Sequence, residues 1–251
     1  IINTFLLFLG NIGEFAVLFF KTLRLIFVRP YRFNLLVEQM MILGVKSIPI
    51  VLITGFFSGM VMAYQVTIQL RQFGAEIYVG GITALALARE LAPVFTALMV
   101  AGRVSAGITA EIGSMRVTEQ IDALETLAVN PIHYLIVPRL IATVIMLPLL
   151  TIFADAIGYL GAYLVSVVKL DIDSALFIDR TIYIVKISDV LSGIAKLYFF
   201  VVIIAMIGCY CGFTTKGGAT GVGKSALISV VTSCILIFIM DYFLTALFYS
   251  F

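Results

Sequence analysis

The sequence predicts an all-α membrane protein: an N-terminal interfacial helix and five transmembrane helices, with a cytoplasmic helix between spans 2 and 3 and an external helical segment between spans 3 and 4. Three observations predict it. Of 251 residues, 62% are hydrophobic and 12% charged, against roughly 45–50% apolar residues in soluble domains, and the mean hydropathy is +1.16. The apolar residues gather in runs of the length a bilayer demands, roughly 20 residues. The polar intervals are short, so residues 1–251 read as a single membrane domain with no soluble catalytic domain beside it.

Residues 5–27 are apolar but broken by Gly10, Asn11, Gly13 and Glu14, and closed by Lys21, Arg24, Arg29 and Arg32. Cations beside an apolar stretch suit a helix lying on the cytoplasmic leaflet; a sixth span is the alternative. No small-residue cleavage site of signal-peptide type follows, so the stretch is expected in the mature protein. Ile1 in place of a methionine reads as a trimmed start. Residues 1–46 are thus an interfacial helix with its basic flank, and 47–251 the five-span bundle.

Four runs span easily: 48–70, 79–102, 194–213 and 226–251. The run 132–168 is harder, because at about 1.5 Å per residue it overshoots one bilayer yet leaves no room for two crossings and a turn. One long helix starting below the membrane, kinked at Pro138 or Pro148, is expected; two re-entrant halves are the alternative. Small residues at helix-packing spacing, Gly55 with Gly59 and Ala154, Gly158 with Ala162, mark faces of close helix approach.

Orientation follows from the cations. With the N-terminus inside, cytoplasmic segments hold Lys21, Arg24, Arg29, Arg32, Lys46, Arg103, Arg116, Arg139, Lys216 and Lys224; the other side holds Arg71, Lys169, Arg180, Lys186 and Lys196. The excess places the N-terminus in the cytoplasm, the C-terminus on the far side, and residues 169–196, with their alternating charges, in the external helix or loop.

A charged island runs from Arg89 and Glu90 through Arg103, Glu111, Arg116, Glu119, Asp122 and Glu125 to Arg139. Its first pair sits inside an apolar run, where each charge costs roughly 2.5–3.5 kcal/mol or more. Neighbours about 100° apart on one helix do not satisfy each other. Either one of them faces a polar cavity or pairs with Asp155 or Asp241, or the charges form an internal ion pair that holds the bundle; Pro93 loosens the helix beside them. Further on, residues 114–129 read as an amphipathic helix: Val117, Ile121, Leu124 and Ala128 form one stripe, and Glu119, Asp122 and Thr126 another. An acidic cytoplasmic helix between two spans is either a docking element for a soluble partner or a solvated surface helix. Asn130 and Pro131 then suit the start of the next helix.

Several chemistries are excluded. Gly218-Ala-Thr-Gly-Val-Gly-Lys224-Ser225 matches a phosphate-binding loop in letters, but such a loop needs a strand before it and a parallel sheet around it; a Gly-rich cytoplasmic turn is expected. Cys209, Cys211 and Cys234 lie in apolar runs far from the lone His133, so neither disulfide framework nor metal site follows. They are expected as small packing residues, and His133 as an interfacial one. The +2 net charge is scattered and offers no face to nucleic acid. No catalytic constellation is present, so the chain is not expected to be an enzyme.

Phe73-Gly-Ala-Glu76, Arg89-Glu-Leu-Ala-Pro93, Ala101-Gly-Arg-Val, Ala110-Glu-Ile-Gly113, Met115-Arg-Val-Thr-Glu-Gln-Ile-Asp-Ala-Leu124, Asn130-Pro131, Val137-Pro-Arg139 and Asp241-Tyr-Phe-Leu-Thr-Ala-Leu247 together resemble the MlaE family. These are permeases of ABC transporters that work with MCE-domain proteins to move phospholipid across the envelope of diderm bacteria. The resemblance runs from about residue 35 to the C-terminus. It implies an inner-membrane homodimer bound to ABC ATPase subunits on the cytoplasmic side and a hexameric MCE protein on the periplasmic side. ATP and Mg would be held by the ATPase, and this chain would need no cofactor. A coupling helix would fall on Met115, Arg116, Glu119, Gln120, Asp122, Ala123 and Leu127. Phospholipid between the protomers would meet Met62, Gln69, Leu70 and Phe73 of span 1 and Arg89, Glu90 and Leu91 of span 2. Gln69 is more polar than the family's usual residue there, and Ala92 replaces its common glycine. An ion-coupled secondary transporter using Glu90, Asp155 and Asp241 is the competing class, though such folds show repeated halves and this sequence shows none.

Overall fold

A computed structural model describes residues 2–28 and 33–249; Arg29 and Arg32 of the basic flank and Phe251 of the last run lie outside them. Eight helices make up the described chain: α1 (Ile2–Ile26), α2 (Phe33–Arg71), α3 (Glu76–Val117), α4 (Gln120–Thr126), α5 (Ile132–Lys169), α6 (Ser174–Ile184), α7 (Ile187–Phe213) and α8 (Gly218–Tyr249). Five of them, α2, α3, α5, α7 and α8, are long and apolar enough to cross a membrane. They alternate in direction, so α1 and α4 share one end of the bundle, here the proximal end, and α6 lies at the distal end.

The spans are longer than their apolar runs. α3 extends to Val117, fifteen residues past the end expected at 102, and α8 begins at Gly218 where a turn was expected. The phosphate-loop lookalike is therefore helical, and Gly217 and Gly218, at φ of 90° and 68°, make the turn before it. α7 begins at Ile187, so Asp189 and Lys196 belong to a span and not to the external segment. Hydropathy places charged residues in flanks; here they are internally matched and stay within the helix.

α5 is one helix of 38 residues. It opens with a π-helical turn, Ile132–Ile136, immediately before Val137 and Pro138, while Pro148 sits within its α-helical stretch. A second π turn, Leu87–Leu91, stands in the same relation to Pro93. Proline has no N–H and its ring crowds the carbonyl four residues earlier, and a widened turn relieves both.

Two kinds of contact assemble the bundle. α2 and α5 meet backbone to backbone through the small residues singled out above. A methyl group added at Gly55 would stand 3.0 Å from the Ala154 carbonyl oxygen, and one at Gly59 would collide with the Gly158 carbonyl. Ala63 and Ala162 are buried in the same seam. α3, α7 and α8 instead use hydroxyls: Ser105 of α3 meets Ser229 of α8, and Ser233 at 3.3 Å, while Thr109 donates to the Gly208 carbonyl of α7 at 2.9 Å. Inside the larger core Cys209 is fully buried; Cys211 and Cys234 are half-buried against it. α1 rests on the proximal ends of α5 and α7, with Phe15 edge-on to Tyr210 at 5.8 Å and His133 Nε2–H donating to the Val28 carbonyl at 3.0 Å.

Gly59→Leu is expected to force α2 from α5 and lower stability by roughly 1–3 kcal/mol, read as a fall in the thermal midpoint of the detergent-solubilised protein. Gly107→Ala, where an added methyl meets nothing within 4 Å, is the control and should leave the midpoint unchanged or raised.

Candidate functional site

Arg89, Glu90, Asp189, Lys196 and Asp241 converge in the distal half of the bundle. In a regular helix residue 93 would donate to the Arg89 carbonyl, and Pro93 removes that donor. The π turn gives Ala92 N–H the Leu87 carbonyl instead. The Arg89 carbonyl accepts from the Lys196 ammonium at 3.3 Å. Lys196 comes this close because Gly193, one turn earlier on α7, has no side chain: a methyl group there would collide with the Ala88 carbonyl and stand 3.1 Å from the Pro93 ring.

Lys196 has no exposed surface. Its Nζ donates to Glu90 Oε2 at 2.6 Å, to Asp241 Oδ1 at 3.0 Å and to Thr245 Oγ1 at 2.7 Å; Thr245 donates onward to Glu90 Oε1 at 3.2 Å. Arg89 turns the other way. Its Nη2 and Nε donate to Asp189 Oδ1 at 2.6 and 3.0 Å, while Asp189 Oδ2 accepts the Lys186 backbone N–H at 2.9 Å. Adjacent residues of α3 thus grip α7 at points seven residues apart, which is two helical turns. Charges this costly in lipid persist because each is paired and hydrogen-bonded.

The expected partners are therefore half right. Glu90 does meet Asp241, through the ammonium that both need. Asp155 takes no part, and its Oδ1 is buried without a hydrogen-bond partner among the described residues. Lys196 and Asp189 were missed, although Lys196 is followed by Leu-Tyr-Phe-Phe, an apolar run that no external segment would carry. The side chains of Arg89 and Glu90 keep 33% and 36% of their surface exposed, so the cluster is reachable from one side.

Among the other residues expected to touch lipid, Met62 and Leu70 are half-buried against the smaller core. Gln69 is exposed, Phe73 is 81% exposed at the distal end of α2, and Leu91 is half-buried beside the charged cluster.

At the proximal end the expected helix 114–129 is interrupted. Residues up to Val117 complete α3, Thr118 ends it by donating to the Ser114 carbonyl at 2.9 Å, and Glu119 adopts the left-handed conformation at φ 60°. Only Gln120–Thr126 forms a separate helix. Ile121 anchors it, 1% exposed, and Leu124 packs beside it, whereas Val117 and Ala128 of the expected stripe are exposed. Arg116 and Asp122 pair with each other at 2.5 Å across the break. Glu119, Gln120, Ala123 and Leu127 form an exposed tip, and Met115 is half-buried against the core. Below it Glu111 of α3 pairs with the buried Arg139 of α5 at 2.7 Å.

A family model described as Permease MlaE matches residues 36–247. A probable ABC transporter permease protein of Rickettsia conorii is 44% identical over 243 residues, covering 97% of this chain and 94% of its own. One from a Synechocystis strain is 46% identical over 213 residues, 85% of this chain and 81% of its own. The intermembrane phospholipid transport system permease protein MlaE of Haemophilus influenzae is 40% identical over 219 residues, 87% of this chain and 84% of its own.

Lys196→Met leaves two carboxylates facing an apolar chain. It is expected to cost about 3–5 kcal/mol, measured as a lower thermal midpoint in detergent, and the triple variant with Glu90→Gln and Asp241→Asn should recover most of that loss. An unchanged midpoint for Lys196→Met would show that the cluster holds nothing together.

Proposed function

The chain belongs to the MlaE permease family, and on that premise we propose that it is the membrane subunit of an ABC transporter moving phospholipid between the inner and outer membranes of a bacterium. The observation that carries this reading is the family match over residues 36–247, which takes in all five spans, together with 40% identity to a Haemophilus protein named for intermembrane phospholipid transport. In this reading the chain sits in the inner membrane as a homodimer. α1 lies on the cytoplasmic face, the proximal end faces the cytoplasm, and the C-terminus faces the periplasm. A separate ATPase holds ATP and Mg, and a hexameric MCE protein stands at the distal end.

The chemistry of the site supports the proposal. An amphiphile needs apolar walls with polar groups at one level. Met62, Leu70, Phe73 and Leu91 supply walls, and Gln69, Arg89 and Glu90 supply polarity, two of them anchored in the buried cluster and still partly exposed. The exposed tip from Glu119 to Leu127 is the coupling element, standing on α3 through Glu119 and tied to it by the Arg116–Asp122 pair. Movement imposed there reaches Arg89 and Glu90 along one continuous helix. An ion relay through Glu90, Asp155 and Asp241 has less support, since Asp155 stands apart from the other two and the family is one of ABC permeases.

With its ATPase and MCE partners in proteoliposomes, the protein is expected to transfer labelled phospholipid in an ATP-dependent way. Glu119→Lys with Asp122→Lys should abolish stimulation of ATP hydrolysis or assembly with the ATPase, and reduce transfer to the level without ATP. Normal co-purification with normal stimulation and transfer would overturn the coupling role.

A further inference from the structure

On the outer face of the α2–α5 seam lies a groove of about 320 Å³. Phe57, Met60, Val61 and Val165 floor it, and Tyr64 with Lys169 close its distal end. Phe57, Val61 and Tyr64, spaced along one side of α2, are 58%, 55% and 40% exposed, an open apolar strip in a helix that runs through lipid. The Lys169 ammonium lies 5.2 Å from the Tyr64 ring centroid. No ion pair engages Lys169 among the described residues, and the lining contains no carboxylate, only the amide of Gln65 as a further polar group.

Depth fixes what such a groove fits. Tyr64 stands seven residues, about 10 Å, short of the end of α2 at Arg71, and Phe57 a further 10 Å or so toward the middle. A tyrosine and a lysine at that level lie where headgroups meet acyl chains, and an unpaired ammonium there attracts the phosphate of an anionic lipid. The groove below is apolar for about 10 Å, some two thirds of the roughly 15 Å of hydrocarbon in one leaflet, room for the upper part of an acyl chain. Its apolar floor faces away from the surface proposed for transported lipid, because Met62 and Gln69 point about 140° and 120° round α2 from Phe57, and the two surfaces adjoin only at the Gln65 edge.

We infer that this groove is a binding site for a resident anionic phospholipid of the surrounding bilayer, its phosphate on Lys169 and one acyl chain lying over Phe57 and Val61 along the α2–α5 seam. The site requires only that α2 and α5 cross a membrane, and stands whether or not the protein transports lipid. A lipid held there bridges two helices whose own contact runs through small residues.

The full-length protein in nanodiscs containing a phosphatidylglycerol with a photoreactive acyl chain tests this. Mass-spectrometric mapping should find adducts on residues 57–65 and 165–169. Unlabelled phosphatidylglycerol should lower them several-fold more than diacylglycerol of the same chains. Lys169→Gln should erase that preference and Lys169→Arg should keep it. Adducts no denser here than on the exposed Ile235 and Phe238 face of α8, or equal competition by the two lipids, would overturn the site. ATP-dependent transfer in the reconstituted complex is scored separately, so loss of transport with normal labelling counts against the transport reading alone.

Discussion

A lysine ammonium without exposed surface, in a helix bundle built for lipid, must find its acceptors on the helices around it. Lys196 takes a carboxylate from α3, a carboxylate and a hydroxyl from α8, and a backbone carbonyl that Pro93 left free. The geometry of three spans follows from that demand. Gly193 must be glycine-sized for α7 to approach α3, the π turn must present Glu90 toward α7, and α8 must bring Asp241 to the same depth. Hydrophobic burial does not discriminate among helix rotations when the solvent is itself apolar. A buried charge does, since any rotation that breaks the set strands an ion in a medium of low dielectric.

The rest of the bundle uses a different adhesive. α2 and α5 touch through glycines and alanines, where dispersion between closely packed backbones replaces polar bonding. Along its small-residue contact such a seam has no directional bond to break, whereas the α3–α7–α8 block is held in register. The molecule therefore joins a stiff three-helix unit, which carries the charges, to a pair whose contact is smooth. Glu111 with Arg139, and Arg103 with the Ser47 hydroxyl at 2.5 Å, fasten the two groups at the proximal end. At the distal end the bond lies within the pair itself, Arg71 of α2 donating to the carbonyl of Leu170, just past α5, at 2.7 Å.

Much of this was legible in the sequence. Five apolar runs announced five spans, and the spacing of Gly55, Gly59, Ala154 and Gly158 marked the faces that meet. The ordered motifs from Phe73 to Leu247 pointed to the family. Three things were hidden for physical reasons. Hydropathy treats any charge as a border, so Lys196 and Asp189 were placed outside the membrane although their partners keep them within it. Periodicity cannot register a single left-handed residue, so Glu119 split a helix whose stripe looked continuous. Which carboxylate reaches which cation depends on the packing of α7 against α3, and no local pattern encodes it; Asp155 and Asp241 looked equivalent, and only the second meets Lys196.

The π turns of α3 carry a consequence for how its sequence tolerates change. Leu87–Leu91 and Ala101–Ser105 each accommodate one residue more than a regular helix would use over the same rise. Everything beyond each turn is thereby rotated by about 100° relative to an uninterrupted helix. Deleting a single residue within the first turn would bring the Pro93 ring back against a regular helix's carbonyl while turning Gly80 and Gly81 away from α6, or Thr109 away from α7. Geometry thus constrains the length of α3 as well as its residue types: an uninterrupted helix there would be the wrong one.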